Sequence, residues 1–376
     1  MSLVVNIAKD DFLSALAFIQ NITTKPATLA ILSNILIETK NDTVEITGTD
    51  LEVGVRQVVP AEILSPGSIT LPSKKIFEIV RESNSDHIHM EVQDKNWVKI
   101  IAGSSDYNVA GMASNDFPTF PDYEEENLVT LPAEDVKDII EKTIFSVASD
   151  SESTFTLTGL LVEKEDSEES HFLRMVSSDG HRLSLMKKNT EKDLSSFQIG
   201  KTTIIPRKGA QEIKKLCEKA DIVSIGFEKK QAVLRSENTT VIIRLMNGDF
   251  PDFRSLLDVI DMEKFIEIDR ISLLNSMKRM NLFAEEKFNV VKWQMENNEL
   301  TLTSQSMDIG NAHEKIPVEY SGESVVLGFN GKYFVDTLQV MTSDIVKVYL
   351  TGAGRPCLIK SEKEPDFISV IMPMEL

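Results

Sequence analysis

Apolar positions along this chain switch repeatedly between a helical period and strand-type runs. Phe12, Leu16 and Ile19 fall on one helix face, and Val136, Ile139, Ile140 and Ile144 on another. Short β-like segments precede these helices. Val5-Asn6-Ile7 leads into a helix over 10–22, Val129-Thr130-Leu131 into one over 133–147, and Phe265-Ile266-Glu267-Ile268 into one over 272–283. Strand patterns follow each helix: Ile35-Leu36-Ile37-Glu38, Leu160-Leu161-Val162-Glu163 and Val290-Val291-Lys292-Trp293. Each has a second strand beyond a polar turn, at Val44-Glu45-Ile46-Thr47, Phe172-Leu173-Arg174-Met175 and Leu300-Thr301-Leu302-Thr303, so hairpins are predicted. A second helix closes each series, over 73–81, 207–219 and 330–340. Pro72 and Pro206 sit where a missing N–H costs a starting helix nothing.

The same order of elements therefore occurs three times. The first two units also close alike, with Asp116-Phe117-Pro118-Thr119-Phe120 and Asp249-Phe250-Pro251-Asp252-Phe253, whose Phe-Pro pairs stand 133 positions apart. A period of that size belongs to whole domains, not to a solenoid. The reading is α+β, three tandem copies of one domain type with two helices packed on β-sheets, spanning 1–126, 127–263 and 264–376. A length of 376 residues suits this, since a domain averages roughly 150.

Composition narrows the class. With 41% hydrophobic and 26% charged residues, the chain has the make-up of a folded globular protein. No signal peptide and no membrane-spanning apolar run is visible, and the two cysteines, Cys217 and Cys357, form no CxxC pair, which points to a reduced cytoplasmic setting. The net charge of −19 argues, taken whole, against nucleic-acid binding. The basic residues are nevertheless concentrated on the predicted helices: Lys74, Lys75 and Arg81, Lys137 and Lys142, Lys208, Lys214, Lys215 and Lys219, Lys278 and Arg279, and Lys332, with Lys25 just after the first helix. Acidic residues crowd loops such as Glu124-Glu125-Glu126. A lysine on an exposed helix is also an ordinary solvated face, so this segregation permits a DNA-facing surface without requiring one.

Several runs resemble one known family. Ser178-Asp179-Gly180-His181-Arg182-Leu183, Asn247-Gly248-Asp249-Phe250-Pro251-Asp252-Phe253, Gly328-Phe329-Asn330 ahead of Tyr333, and the closing Val370-Ile371-Met372-Pro373-Met374-Glu375-Leu376 are similar to the bacterial DNA sliding clamps. Lys25-Pro26 and Glu286-Lys287-Phe288 add to the likeness, which runs collinearly over the whole chain.

The resemblance implies a clamp-type fold in which the chain is half of a six-domain ring, a homodimer that encircles duplex DNA without reading sequence and slides along it. The implied partners are a DNA polymerase catalytic subunit, a clamp loader, and other replication or repair proteins that carry clamp-binding peptides. Their peptides would enter an apolar cleft between the second and third domains. Matched by position, that cleft comprises Leu157, Ser178, Gly180, His181, Arg182, Leu183, Pro251, Leu256, Pro356, Val370, Met372, Pro373 and Met374. DNA would face Lys25, Lys74, Lys75, Lys137, Lys142, Lys208, Lys214, Lys215, Lys278, Arg279 and Lys332. The ring seam would set Leu282 and Phe283 against Tyr107 and Val109 of the partner copy. Ser255 departs from a family arginine, Leu256 from a smaller aliphatic residue, and Ser149-Asp150-Ser151-Glu152-Ser153 is acidic where the family tends to be polar or basic.

Asp179 and His181 could form an acid–base pair in a hydrolase, yet Thr49-Asp50-Leu51-Glu52 and Ser306-Met307-Asp308 lack the histidine, and no nucleophile elbow accompanies it. His87 and His89 share a strand face without further ligands, and Gly352-Ala353-Gly354-Arg355 lacks the helix a phosphate loop requires. No catalysis, cofactor, metal or membrane association is expected.

Overall fold

The computed structural model describes residues 3–23, 29–149, 155–167, 170–200, 202–284, 289–320, 322–350, 352 and 354–376. Lys25, Pro26, the 151–153 stretch and the Glu286-Lys287-Phe288 run lie outside these. The chain forms two compact units. One comprises 1–133, 195–198 and 211–245, the other 134–194, 199–210 and 246–376.

The helices are α1 (Lys9–Thr23), α2 (Ser73–Glu82), α3 (Ala133–Glu141), α4 (Arg207–Cys217), α5 (Arg254–Asp258), α6 (Arg270–Asn281) and α7 (Gly331–Val340). In the first unit α1 packs on α2 and in the second α6 packs on α7, each pair burying the apolar stripe predicted from sequence. Asp269 caps α6 by accepting from the Ser272 N–H at 2.7 Å, and Asn330 caps α7 through the Lys332 N–H at 3.0 Å.

Backbone hydrogen bonds repeat with the sequence period. The first residue of α1, α3 and α6 donates its N–H to an aspartate carbonyl, Lys9 to Asp86, Ala133 to Asp221 and Arg270 to Asp344, at 2.9, 2.9 and 2.8 Å. Isolated bridges join Thr70 to Met112, Ile204 to Met246 and Gly328 to Met374. The three repeats therefore share backbone geometry, and each of these methionines occupies the same station.

Three helices end earlier than their periodicity predicts, α4 stopping at Cys217 instead of reaching position 219. α3 stops at Glu141 instead of continuing to Val147, because the Thr143 hydroxyl donates to the Ile139 carbonyl at 2.7 Å and a 3-10 turn follows at Ile144–Ser146. α6 ends at Asn281, and Leu282 and Phe283 continue as a tightened turn, their N–H groups bonding to Arg279 and Met280. The predicted hairpins form, and the one joining Val290–Glu296 to Glu299–Ser306 turns through Asn297 and Asn298, both left-handed at φ +52° and +59°.

The sheets ignore the repeat boundaries. In the first unit, Val53–Ser65 from the first repeat pairs with Thr239–Arg244 from the second, within a 12-stranded sheet. In the second unit, Arg182–Asn189 from the second repeat pairs with Phe367–Ile371 from the third, within an 8-stranded sheet. A separate 4-stranded sheet carries the rest of the third repeat, around the buried ring cluster of Trp293, Phe329 and Phe334. Each cross-boundary seam buries backbone groups and apolar side chains together, so the second repeat contributes to both units.

Candidate functional site

The seam between Arg182–Asn189 and Phe367–Ile371 sets Leu183 opposite Val370, and both are buried. A tight turn over Ser178–Arg182 leads into it. Asp179 Oδ1 accepts the N–H groups of His181 and Arg182, both at 3.0 Å, while the Ser178 hydroxyl donates to the Arg182 carbonyl at 2.8 Å. Gly180 takes φ +88°, a conformation that glycine adopts without a Cβ penalty. Across the turn, the Met372 N–H donates to the His181 carbonyl at 2.8 Å.

Over this seam lies the Asn247–Phe253 loop and the short α5. Phe253 is buried against Leu183, Val370, Leu358 and Tyr349, with Phe250 and Leu256 packed on the same cluster. What remains open is a cavity of about 430 Å³, lined by Ser178, Leu183, Phe250, Pro251, Asp252, Phe253, Ser255, Leu256 and Val259. Val259 at its edge is 51% exposed, an apolar side chain with room for a partner. The cavity can receive an apolar side chain, whose burial would contribute about 1.5–3 kcal/mol.

Of the residues expected in the cleft, the structure brings Ser178, Leu183, Pro251 and Leu256 to the cavity wall, with Val370 beneath it. Gly180 and His181 are exposed on the adjoining turn, and Met372 and Pro373 are half-buried. Met374 is half-buried in its bridge to Gly328, while Leu157 and Pro356 are buried. Arg182 is a correction. Its guanidinium bonds Asp179 Oδ2 at 2.9 Å, Asp336 at 2.6 Å and the Phe145 carbonyl at 2.6 Å, and lies 4.4 Å over the Tyr333 ring, leaving the side chain 10% exposed. It is a strut between the turn and α7, not a group offered to a ligand. Phe250, Asp252, Phe253 and Val259 also line the cavity without having been expected there, and Ser255, noted from sequence only as a departure from a family arginine, stands among them. The first three flank Pro251 in the repeated Phe-Pro motif, and that repetition was the signal.

Asp179 is also unavailable as a catalytic acid, since both carboxylate oxygens already accept hydrogen bonds within the turn. His89 shares a 2.7 Å hydrogen bond with Asn6, and among the described residues no group of three or more His, Cys, Asp or Glu is placed to hold a metal.

The basic residues divide. Lys74, Lys278 and Lys332 are exposed on α2, α6 and α7. Lys75 pairs with Glu78 at 2.8 Å, Lys137 approaches Glu141 at 3.9 Å and Lys214 Glu218 at 3.9 Å, and Lys208 is half-buried. Arg279 is exposed, but Glu314 takes its Nε at 2.9 Å, and hydrogen bonding from that guanidinium holds the Glu314 carboxyl below its ordinary value. Lys142 is a correction: its side chain is 7% exposed and bonds Glu364 at 2.8 Å and Asp138 at 3.1 Å, so its charge is spent inside the fold. Burial opposes the ionised form of Glu364. Hydrogen bonds from Lys142, from the Ser343 hydroxyl and from the N–H groups of Ser343 and Thr342 outweigh that burial and hold its carboxyl at about 2. Lys215 is a second correction, because its ammonium donates to the Phe18 carbonyl at 2.8 Å and sits 4.4 Å over the Phe18 ring.

Tyr107 and Val109 lie on Ser105–Ala110, an edge strand of the first unit that, among the described residues, pairs with Trp97–Ala102 alone. Of the two residues expected at the ring seam, Val109 is 9% exposed and packs within its own sheet, whereas Tyr107 is half-buried. In the second unit Leu282 is 69% exposed and Phe283 half-buried. The strand Gly310–Pro317 is an edge of the 4-stranded sheet.

Three family models match in succession: the N-terminal domain of the DNA polymerase III beta subunit over residues 3–121, its central domain over 130–252 and its C-terminal domain over 260–375. The beta sliding clamp of Chlamydia pneumoniae is 32% identical over 360 residues, covering 95% of each chain. That of Bacillus subtilis is 29% identical over 381 residues, covering 98% of each. Among solved structures, the C. crescentus beta sliding clamp, crystallised with polyethylene glycol at a proposed beta-motif tethering region, superposes with a TM-score of 0.92 at 27% identity over the full length of both chains. The B. subtilis DNA polymerase sliding clamp superposes equally well, at 0.92 and 27%. With all three domains matched in order across a shared fold, the chain belongs to the DNA polymerase III beta subunit family, the bacterial beta sliding clamps.

Proposed function

We propose that this chain is the processivity factor of a replicative DNA polymerase, a homodimeric ring that encircles duplex DNA and tethers partners through the cleft beside Leu183. The observation that carries the reading is that cleft: an open apolar cavity over a cross-repeat strand seam, in a chain whose three domains all match the clamp family. The three repeats are taken as domains over 1–126, 127–263 and 264–376. A ring holds DNA by topology, so its cations need only weak, sequence-independent attraction to phosphate, and tight base contacts would stop it sliding. Lys74, Lys278 and Lys332, exposed on helices, fit that role. No helix among the described residues is long and apolar enough to cross a membrane, and the protein acts in the cytoplasm with the polymerase catalytic subunit and the clamp loader. It performs no catalysis of its own, and ATP use belongs to the loader.

The dimer forms where the edge strand bearing Tyr107 meets the third domain of the other copy, beside Leu282 and Phe283. Pairing covers an edge that otherwise offers unpaired N–H and C=O groups. Phe283→Asp is expected to yield monomers by light scattering, and a persistent dimer removes this assignment. The function is tested by loading the protein on nicked circular DNA with a loader and linearising the circle. Release on linearisation, together with longer products from a primed template, is the expected result. Retention on free ends contradicts topological binding.

A further inference from the structure

The first unit holds a second cleft built on the same plan. Its turn, Thr49–Val53, repeats the hydroxyl and backbone N–H bonds of the Ser178–Arg182 turn, without the arginine bond to the aspartate. Asp50 Oδ1 accepts the N–H groups of Glu52 and Val53 at 3.0 and 2.8 Å, and the Thr49 hydroxyl donates to the Val53 carbonyl at 3.0 Å. Leu51 stands at φ +74°, where the other turn has Gly180. The seam recurs too: Gly54 faces Ile242 as Leu183 faces Val370, and the Arg244 N–H donates to the Glu52 carbonyl at 2.8 Å as the Met372 N–H does to His181. Pro118 and Phe120, the counterparts of Pro251 and Phe253, line a cavity of about 300 Å³.

The chemistry of the lining is changed. Phe120 leans toward Gly54, where an added Cβ would meet its ring at 3.2 Å, so the ring takes the space that the Leu183 side chain fills in the other cleft. Arg244 occupies the station of Met372, and Lys230 stands beside it on the wall. Both are exposed, and neither forms an ion pair among the described residues, although Glu52 shares the lining. Leu51, 50% exposed, supplies an apolar contact at the same wall.

We propose that this cleft is a second docking site, for an acidic peptide in which an apolar side chain adjoins carboxylates. The apolar group would meet Phe120, Ile242 and Leu51, and the carboxylates would meet Arg244 and Lys230. On a chain of net charge −19, two unpaired cations beside an apolar hollow select an anionic partner against the general repulsion of the surface.

The test is fluorescence anisotropy of the intact dimer with a labelled Glu-Asp-Leu-Phe-Glu-Asp peptide and with the same sequence carrying Gln and Asn for its acids. The expected result is saturable binding of the acidic peptide, weakened at least tenfold by Arg244→Glu or Lys230→Glu. Added salt should weaken it as well, and Leu256→Asp in the other cleft should leave it unchanged. Arg244→Gln and Lys230→Gln, with circular dichroism as the folding control, cover the case in which a charge reversal fails to fold. Absence of saturable binding, loss on Leu256→Asp alone, or indifference to the charge changes overturns the proposal. So does a result in which only a labelled duplex, and not the peptide, responds to Arg244→Glu, because the cations would then serve DNA. Processivity measured in parallel separates failure here from failure of the clamp reading.

Discussion

The two clefts share a backbone and differ in what fills it. In each, an aspartate-locked turn feeds a strand that pairs across a repeat boundary, and a Phe-Pro-x-Phe segment lies over the seam. Beside Leu183 the segment continues into α5, and its two phenylalanines and Leu256 leave an apolar hollow. Beside Gly54 it continues through Pro121 into a linker that is held down, Gln231 donating to the Asp122 carbonyl at 2.8 Å and Tyr123 packing on Phe120 and Ile242. Backbone geometry is therefore the inherited part of the site. Recognition is set by a few side chains standing at fixed stations upon it.

The largest expected effect comes from the apolar floor. Leu183→Ala removes a side chain only 2% exposed and should cost about 2–5 kcal/mol of stability while abolishing peptide capture in that cleft. Thermal unfolding and anisotropy read the two losses. The reciprocal change, Gly54→Leu, forces a side chain against Phe120 and should cost about 1–3 kcal/mol by overpacking, with capture beside Leu183 unaffected. If both variants impair the same cleft, the two sites are not independent.

Next stands the strut. Arg182→Gln leaves Asp179 and Asp336 without their cation, whereas the first cleft has Val53 at this station and needs none. Because Asp336 is 37% exposed, the loss should fall below the roughly 3–5 kcal/mol of a fully buried pair, and appear as a lower melting temperature with a weakened cleft. Unchanged melting would show that the strut adds nothing to stability.

The third effect is pH-dependent. Glu364 is held at about 2, below its unfolded value, so its contribution is fully present above about pH 4.5 and is lost as pH falls toward 2. The chain has two tryptophans, Trp97 in the first unit and Trp293, fully buried, in the second. With Trp97→Phe, the emission of Trp293 should report acid loosening of the second unit. Glu364→Gln should flatten that response between pH 4.5 and pH 2, leaving a less stable protein above it. The smallest effect is in the turns: Leu51→Gly relieves a left-handed leucine and Gly180→Ala imposes strain, each shifting stability by about 1 kcal/mol in opposite directions, resolvable by urea melts.

Much of the site was legible as pattern. The Phe-Pro motif, legible in sequence as the close of two repeats, lies over both clefts, and Leu183, Pro251 and Leu256, expected together from the sequence, line one cavity. Lysine roles were less legible. Lys142 and Lys278 look alike in sequence, yet one is sealed against Glu364 and the other is exposed. The partner that decides Lys142 lies more than two hundred residues away, and no local spacing reports it. Arg182 was misread for the same reason, since Asp336 sits on a helix of a different repeat.

The sequence by itself determined the threefold order of elements, the amphipathic faces of the helices and the positions of the hairpins. These follow from periodicity and turn chemistry over neighbouring residues. The tertiary structure alone decided that sheets run through the repeat boundaries, dividing the second repeat between two units, and that Arg244 and Lys230 stand on the wall of one cleft while the other is lined largely by apolar groups. Strand pairing between distant segments is settled by the burial of whole faces, and a side chain's role by what the fold sets opposite it.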